Sequence, residues 1–351
     1  MFQYTTTGNQ LAIPFLVFDT DEQIDKTAGN GRMRVGWDVA RQFGLATSIT
    51  TSRLAGATVT ELVGQTLNQY RIVEKIREGS VATVYKAYHP SLDRYVAVKV
   101  LSPVHVDDPD FSQRFQREAQ AVAQLEHRNI LPLYDSGQSG AHRFIVMRYV
   151  EGSRTLTDVM ATPLSLGQMA NLIEQMGAAL DHAHARGIIH RDVKPGNVLL
   201  DGDWVLLTDF GLAKVLNASM RLTSSGVGVG TPAYMSPEQA QALPIDHRAD
   251  IYSLGVILFE MLTGKIPHDA ESPFGIAFRR MSEPLPTPRS INPETPQGVE
   301  RVVLKALASD PADRFETAGK MARALTRACA ANAATRPLDP RSLLPRPEHK
   351  G

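Results

Sequence analysis

The chain carries His-Arg-Asp-Val-Lys-Pro-Gly-Asn at residues 190–197 and Asp-Phe-Gly at residues 209–211. Between these stretches lie two apolar runs, at 198–200 and 204–207, which flank the turn Asp-Gly-Asp. Apolar runs around a glycine turn predict a β-hairpin, which folds the second stretch back onto the first. Two carboxylates and an amide therefore converge beside a lysine. Mg²⁺ prefers such oxygen ligands together with substrate phosphates, so the two stretches predict a phosphate and metal site.

Composition and charge exclude several classes of protein. Lysine plus arginine and aspartate plus glutamate number 37 each, so no net charge favours nucleic acid or a membrane surface as partner. The single cysteine, Cys329, cannot form an intrachain disulfide, which fits a reducing compartment. No apolar run reaches the roughly 18 residues of a membrane-spanning helix, and no secretory signal is visible. We therefore expect a soluble cytoplasmic protein.

The sequence divides into three unequal parts. Residues 1–60 match no recognisable pattern, and we expect an extension of unknown role that is partly disordered. Residues 62–330 carry clear strand and helix patterns and form the main domain. Residues 331–351 hold prolines among basic residues, which predicts a disordered tail.

Periodicity predicts an α+β fold of two lobes. The first lobe, about residues 62–147, has several β-branched, alternating runs and one helical run, which predict a small antiparallel sheet with one main helix. After a hinge at 148–152, the region 153–330 is mostly helical. The predicted strands are 70–76, 81–87, 94–100 and 144–147, and the predicted helices are 111–126, 172–185, 251–262, 300–308 and 317–329.

Several motifs together resemble the bacterial, eukaryotic-like (Hanks-type) serine/threonine protein kinases. Beside the two opening stretches, the chain has Val-Ala-Val-Lys at 96–99, Gly-Thr-Pro-Ala-Tyr-Met-Ser-Pro-Glu at 230–238 and Asp-Ile-Tyr-Ser-Leu-Gly at 250–255. The resemblance covers residues 62–330, and about ten motifs occur in the family's order. It implies the two-lobed protein kinase fold and transfer of the ATP γ-phosphate to serine or threonine hydroxyls of proteins.

The resemblance assigns the catalytic roles. Asp192 would accept or orient the proton of the substrate hydroxyl, a contribution of typically 10² to 10⁴ in rate. Lys194 would contact the transferred phosphate. Asn197 and Asp209 would hold Mg²⁺, for which Mn²⁺ is an alternative, between the phosphates.

The nucleotide site follows from the same resemblance. Lys99 would grip the α- and β-phosphates and be held in place by Glu118 on the predicted helix. The loop around Gly79 would cover the phosphates, and Met147 would stand behind the adenine. The expected nucleotide-binding residues are Ile76, Gly79, Val84, Ala97, Lys99, Glu118, Met147, Tyr149, Val150, Leu199 and Asp209.

Regulation is expected in the segment between Asp209 and Glu238. Arg191 precedes the catalytic aspartate and, without a phosphate nearby, would lack an anionic partner. Phosphorylation adds a charge of about −1.5 to −2, and the resemblance places it at Thr223, Ser224 or Ser225. Self-association for phosphorylation in trans is a further expectation. The remaining assignments are Thr231 in contact with Lys194 and Asp192, a pair of Glu238 with Arg314, and Asp250 holding the catalytic-loop backbone.

Histidines near the predicted site invite a catalytic or metal role. His190 is expected to pack near Phe210 rather than to catalyse. His182 and His184 stand two residues apart and do not share a helix face, so we interpret them as ordinary helix residues.

Two departures from the family pattern keep other functions open. Arg77 and Ala82 replace glycines of the phosphate-covering loop, and Arg148 replaces an acidic hinge residue. A pseudokinase that acts as a scaffold is therefore one alternative, although Lys99, Asp192 and Asp209 are all retained. A small-molecule kinase is another, but such enzymes usually lack the long segment that ends in Ser-Pro-Glu.

Overall fold

The computed structural model describes residues 62–79, 82–101, 109–210, 232–270, 275–276, 279 and 282–335, and these form two lobes of unlike composition. The first lobe is a β-sheet with one long helix, and the second is mainly helical. The predicted α+β, two-lobed fold is therefore confirmed. The predicted extension at residues 1–60 lies outside the described residues.

The N-terminal lobe is a six-stranded antiparallel sheet with the order β1-β2-β3-β4-β6-β5. Helix α1, Pro109–Ala123, follows β4 in the chain. The strands are β1 Thr66–Leu67, β2 Tyr70–Glu78, β3 Ala82–His89, β4 Arg94–Leu101, β5 Leu133–Ser139 and β6 His142–Arg148.

Strand β4 shows how alternation places a functional side chain. Val96, Val98 and Val100 belong to the apolar cluster on one face of the sheet. Ala97 and Leu101 belong to a second cluster, on the other face. Because side chains alternate along a strand, Lys99 emerges on the face of Ala97, among the residues of the second cluster.

The C-terminal lobe combines helices with a small second sheet of order β7-β8-β9. Serine and glutamine at 165 and 168 form a capping box that starts α3. The strands are β7 Arg154–Thr155, β8 Val198–Asp201 and β9 Trp204–Leu207. The helices are α2 Leu156–Met160, α3 Leu166–His184, α4 Pro237–Ala240, α5 Arg248–Thr263, α6 Pro288–Ile291, α7 Gln297–Ala306 and α8 Ala318–Thr335.

Helix α5 forms the centre of this lobe. Its residues from Ala249 to Phe259 are all buried, as expected for a helix that is apolar on every side. Helices α3, α7 and α8 contribute to the same core. Two polar residues of α5, Asp250 and Ser253, are buried with it, and each has hydrogen-bond partners. The core thus carries a fixed carboxylate toward the loop at 190–197.

Two of the differences between the fold and the sequence prediction have a clear physical reason. Strand β5 was not predicted, because Asp, Ser and Gly in Leu133–Ser139 favour turns. It forms at the edge of the sheet, where its partner β6 supplies the pairing. Helix α8 continues to Thr335, past the predicted boundary at 330, since the run Ala-Ala-Asn-Ala-Ala has high helix propensity. Residues 336–351 lie outside the described part.

Within the described ranges, no helix combines the length and the apolar character that a membrane span requires.

Candidate active site

The loop at 190–197 brings three predicted catalytic side chains together. Lys194 Nζ lies 2.7 Å from Asp192 Oδ2, and Asn197 Nδ2 donates to the same oxygen at 2.8 Å. Asn197 Nδ2 also bonds the backbone carbonyl of Asp192 at 2.8 Å. Both side-chain bonds use Oδ2, and no described residue donates to Oδ1. One carboxylate oxygen of Asp192 is thus fixed, and the other can receive a substrate proton.

Asp209 joins this loop to the N-terminal lobe. Lys99 Nζ lies 2.7 Å from Asp209 Oδ1, with side chains 15% and 22% exposed. Burial opposes ionisation of this carboxyl, but the Lys99 ammonium outweighs it and holds the pKa of Asp209 below its ordinary value. The predicted Lys99–Glu118 pair stays a prediction; Glu118 lies on α1 and is partly buried.

The backbone at the site adopts an unusual conformation. Arg191 and Asp209 both have φ of 68°, in the left-handed region that costs residues other than glycine about 1–3 kcal/mol. Asp250 stabilises this shape by accepting from His190 N and Arg191 N, each at 2.8 Å. Gln239 donates from the other side to the Arg191 carbonyl at 2.9 Å. The loop is therefore clamped from two helices, and the predicted role of Asp250 matches this geometry.

Two histidines support the loop. His190 is fully buried, its ring lies 4.4 Å from that of Phe210, and its Nε2 lies 2.9 Å from the Thr208 carbonyl. This is the packing role expected for it. His184 Nε2 lies 2.7 Å from Asp250 Oδ2. His184 lies on α3, as expected, and no local pattern indicates this contact, because its partner is 66 residues further along the chain.

An apolar cluster lines the cleft between the lobes. It includes Ala97, Met147 and Val150 from the first lobe and hinge, and Leu206 from the second. Val84, Tyr149 and Leu199 pack against it. Except for Leu206, which was not predicted, these are among the expected nucleotide-binding residues, and the fold brings them into one cluster. Ile76 is 47% exposed at the end of β2.

The phosphate-covering loop retains glycine at a position that leaves little room for a side chain. A Cβ at Gly79 would lie 3.1 Å from the carbonyl oxygen of Ala82, and Gly79 N bonds that oxygen at 3.0 Å. Arg77, two residues earlier, extends away from the hairpin. Its Nη1 donates to the carbonyl oxygen of Gly196 at 3.3 Å. The arginine that departs from the family pattern therefore connects β2 to the catalytic loop.

Arg148 makes a second connection between the lobes. Its Nη2 lies 2.7 Å from Asp201 Oδ2 at the β8–β9 turn, and both side chains are 42% exposed. An exposed pair of this kind contributes at most about 1 kcal/mol.

The predicted partners Glu238 and Arg314 meet in the C-terminal lobe. Arg314 Nη1 and Nη2 donate to Glu238 Oε1 and Oε2 at 2.7 and 2.8 Å. Burial alone would raise the pKa of Glu238, but the bonds from Arg314 hold it below its ordinary value. The pair anchors α4, which carries Gln239, and so supports the catalytic loop indirectly.

Some predicted residues cannot be placed. Thr223, Ser224, Ser225 and Thr231 lie outside the described residues. Their regulatory roles, and the contact of Thr231 with Lys194 and Asp192, stay predictions.

The oxygen groups present fit Mg²⁺. Asn197 directs its Nδ2 to Asp192, and no described residue donates to its amide oxygen. Asp209 is kept ionised beside Lys99. Within the described residues, no group of three His, Cys, Asp or Glu side chains could hold a metal alone. That suits Mg²⁺, which is usually held by one or two protein ligands together with phosphates and water.

The sequence is similar to a protein-family model and to several curated proteins. A family model described as the protein kinase domain matches residues 70–325. The serine/threonine-protein kinase PrkC of Bacillus subtilis is 42% identical over 264 residues, which cover 74% of this chain and 40% of PrkC. PknL of Mycobacterium tuberculosis, a serine/threonine-protein kinase, is 38% identical over 255 residues, which cover 72% of this chain and 63% of PknL. The chain thus spans less than two thirds of these curated relatives.

The fold is also similar to that of solved crystal structures. The crystal structure of the M. tuberculosis PknI kinase domain superposes with a TM-score of 0.63 at 31% identity, covering 76% of this chain and 98% of that one. A strand lysine paired with an aspartate, together with a loop that carries aspartate, lysine and asparagine, is the side-chain arrangement of the two-lobed protein kinase fold. The chain belongs to the protein kinase family, and its relatives are bacterial Hanks-type serine/threonine kinases.

Proposed function

We propose that the protein is a serine/threonine protein kinase that transfers the γ-phosphate of ATP to protein hydroxyls. The convergence of Asp192, Lys194 and Asn197 opposite the Lys99–Asp209 pair carries this proposal. Its curated relatives carry the same activity in their names.

Each group has a definite task in the transfer. The substrate hydroxyl oxygen attacks the γ-phosphorus, the bond to the β–γ bridging oxygen breaks, and ADP leaves. Asp192 Oδ1 orients the hydroxyl and takes its proton, while Lys194 neutralises charge on the transferred group. Lys99 holds the α- and β-phosphates. Positioning and charge stabilisation dominate, because the transition state is loose.

Mg²⁺, when bound by Asn197 and Asp209, would neutralise phosphate charge. The residues themselves pre-arrange this site, since the Lys99 ammonium keeps Asp209 ionised before a metal arrives.

The alternatives have less support. A pseudokinase would be expected to lose Lys99, Asp192 or Asp209, and all three are present. A small-molecule kinase usually lacks the long segment before Glu238 and its pair with Arg314. A protein substrate is therefore favoured, and the cytoplasmic location expected from the single cysteine stays a prediction.

Activation by phosphorylation is part of the proposal. Phosphate at Thr223, Ser224 or Ser225 would supply the anion that Arg191 needs. We expect the wild type to transfer label from ATP·Mg²⁺ to itself and to a generic basic protein, with the label at one of these residues. Mass spectrometry of residues 215–235 locates it. Thr223→Ala should have lower activity, and Thr223→Glu should restore only part of it.

The outcomes separate activity from activation. Binding of ATP without transfer to any substrate, in protein phosphorylated at 223–225, would contradict the kinase assignment. Transfer that is unchanged in Thr223→Ala, with no phosphate at 223–225, would leave a kinase that needs no such switch.

Arg77 tests whether the altered loop limits catalysis. Its hydrogen bond to Gly196 is exposed, and such a bond contributes roughly 1 kcal/mol at most. We therefore expect Arg77→Gly to change kcat/KM for ATP by less than about fivefold in steady-state kinetics. Arg77→Lys, which keeps the charge, is the matched control. A rise above tenfold in Arg77→Gly alone would mean that the arginine suppresses activity, as the pseudokinase alternative implies.

A further inference from the structure

A large open groove lies between α7 and α8, away from the proposed catalytic residues. Its volume is about 580 Å³, which is within the range of about 300–1,000 Å³ typical of ligand sites. The side chains that line it are Pro296, Gln297, Gly298, Arg301, Val302, Lys305, Phe315, Ala324, Arg327, Ala328, Ala331 and Asn332.

The walls of the groove carry positive charge only. Arg301 and Lys305 project from α7 and Arg327 from α8, and all three are exposed. No acidic residue lines the groove, and none of the three cations has a carboxylate within 4.0 Å in the described ranges. Glu300, one residue before Arg301, accepts from the backbone N–H of Arg289 instead. The groove therefore contains three cations and, among the described residues, no acidic side chain that would neutralise them.

The start of α7 adds to this field. Gln297 and Gly298 line the groove and are the first residues of a helix of ten. The first backbone N–H groups of a helix have no intrahelical acceptor, and the helix dipole makes this end partly positive. Arg301 stands one turn further along the same helix. Together these groups favour an anionic ligand.

The floor of the groove is apolar. Val302 is buried beneath it, and Phe315, Ala324 and Ala328 are partly buried. Small residues let the helices approach closely, since a Cβ on Gly298 would lie 3.2 Å from the Cβ of Ala328. The ammonium of Lys305 lies 5.1 Å from the centre of the Phe315 ring. A ligand here meets both apolar surface and cations.

Unpaired cations at this spacing are unfavourable for the free protein. Arg301 and Lys305 are four residues apart on one helix, where like charges repel. Elsewhere in the lobe, Arg314 pairs with Glu238 and Lys320 with Glu316. No acidic side chain of the described residues lines the groove to relieve this repulsion, so an anionic ligand that binds there would relieve it.

We propose that this groove docks an acidic segment with apolar side chains, presented by a protein partner. A recessed groove between helices suits an inserted chain better than a flat lipid surface. The chain's own residues 336–351 are excluded by charge, since four basic residues there outweigh Asp339 and Glu348. That the partner is the substrate rests on the proposed kinase function, and docking then raises the effective concentration of the acceptor hydroxyl.

Binding is tested without catalysis. The probe is a fluorescein-labelled peptide of about ten alternating glutamates and leucines, and fluorescence anisotropy reports its Kd on the full chain. We expect micromolar binding that weakens with salt. Arg301→Glu with Arg327→Glu should raise Kd by about tenfold or more, because two attractions become repulsions. Arg289→Glu, the same charge change on α6 outside the groove, should leave Kd unchanged.

Binding measurements with other peptides identify which chemical features of the ligand the groove recognises. A glutamate–serine peptide should bind more weakly than the glutamate–leucine peptide, and a lysine–leucine peptide should not bind. Equal Kd for wild type and the double variant would overturn the proposal. So would binding of phosphatidylglycerol vesicles that the double variant loses, with no peptide binding, since the groove would then be a membrane site.

The link to catalysis is measured separately. Fusing the glutamate–leucine sequence to an acceptor peptide should lower its KM for the wild type and leave its KM for Arg301→Glu with Arg327→Glu unchanged, at equal kcat. Peptide binding by a protein that transfers no phosphate would support the docking groove and contradict the proposed kinase function. An unchanged KM in an active, peptide-binding enzyme would overturn substrate docking.

Discussion

Asp192→Asn is expected to lower the rate of phosphoryl transfer by about 10² to 10⁴ while leaving the protein folded. The substitution keeps the shape of the side chain, so one oxygen can still accept from Lys194 and Asn197. It removes the charge and the basicity of the second oxygen, which takes the proton of the hydroxyl. The loss corresponds to about 3–5 kcal/mol of transition-state stabilisation. Single-turnover transfer from ATP·Mg²⁺, measured beside calorimetric ATP binding, separates catalysis from affinity.

The control for this variant is Asp203→Asn. Asp203 lies in the exposed β8–β9 turn, so the same chemical change there should leave the rate within about twofold of wild type. We expect ATP to bind both variants, because Lys99 and Asp209 are intact in each. Wild-type turnover by folded Asp192→Asn would remove Asp192 from the mechanism.

Local patterns were sufficient to predict most of the site. Strict alternation places Lys99 beside Ala97, and the short spacing from Asp192 to Asn197 keeps both on one loop. The hairpin between 198 and 207 returns Asp209 to that loop, as its glycine turn predicted. These relations depend on nearby residues in the chain, so periodicity and turn chemistry determine them.

The pair of Glu238 with Arg314 was expected only from the family resemblance, and the other long-range side-chain contacts could not be predicted. The bonds from Arg77 to Gly196 and from Arg148 to Asp201 depend on how the two lobes face each other. His184 meets Asp250 only because α3 and α5 pack together in the core. None of these residues has a local pattern that names its partner, and two of them are flexible arginines.

The second large effect is expected at Arg314, the buried partner of Glu238. Its Nε and both terminal nitrogens donate to Glu238 and to the carbonyls of Ala308, Ser309 and Arg248. These bonds engage all five donors of the guanidinium. The side chain is fully buried. A lysine could not reproduce this fork, because its ammonium is a single point with three donors.

Arg314→Met should therefore destabilise the protein by about 3–5 kcal/mol. Glu238, which is 7% exposed, would keep a buried charge without a partner. Urea unfolding followed by circular dichroism should show an earlier transition. Arg323→Met, on the exposed face of α8, is the matched control and should shift the free energy of unfolding by less than about 0.5 kcal/mol.

Glu238→Gln separates charge from packing. The folded-state pKa of Glu238 is lowered, so its ionisation stabilises the fold above its ordinary pKa of about 4.5 and this contribution is lost as pH falls below that value. The stability difference between wild type and Glu238→Gln should therefore stay constant from pH 7 to about pH 5 and shrink as the pH falls below about 4.5. Glu238→Gln with Arg314→Met should cost less than the two single changes added together, because neither charge is then left alone. If the changes in the free energy of unfolding were strictly additive, the prediction would be contradicted. The two side chains would then contribute independently in spite of their contacts of 2.7 and 2.8 Å.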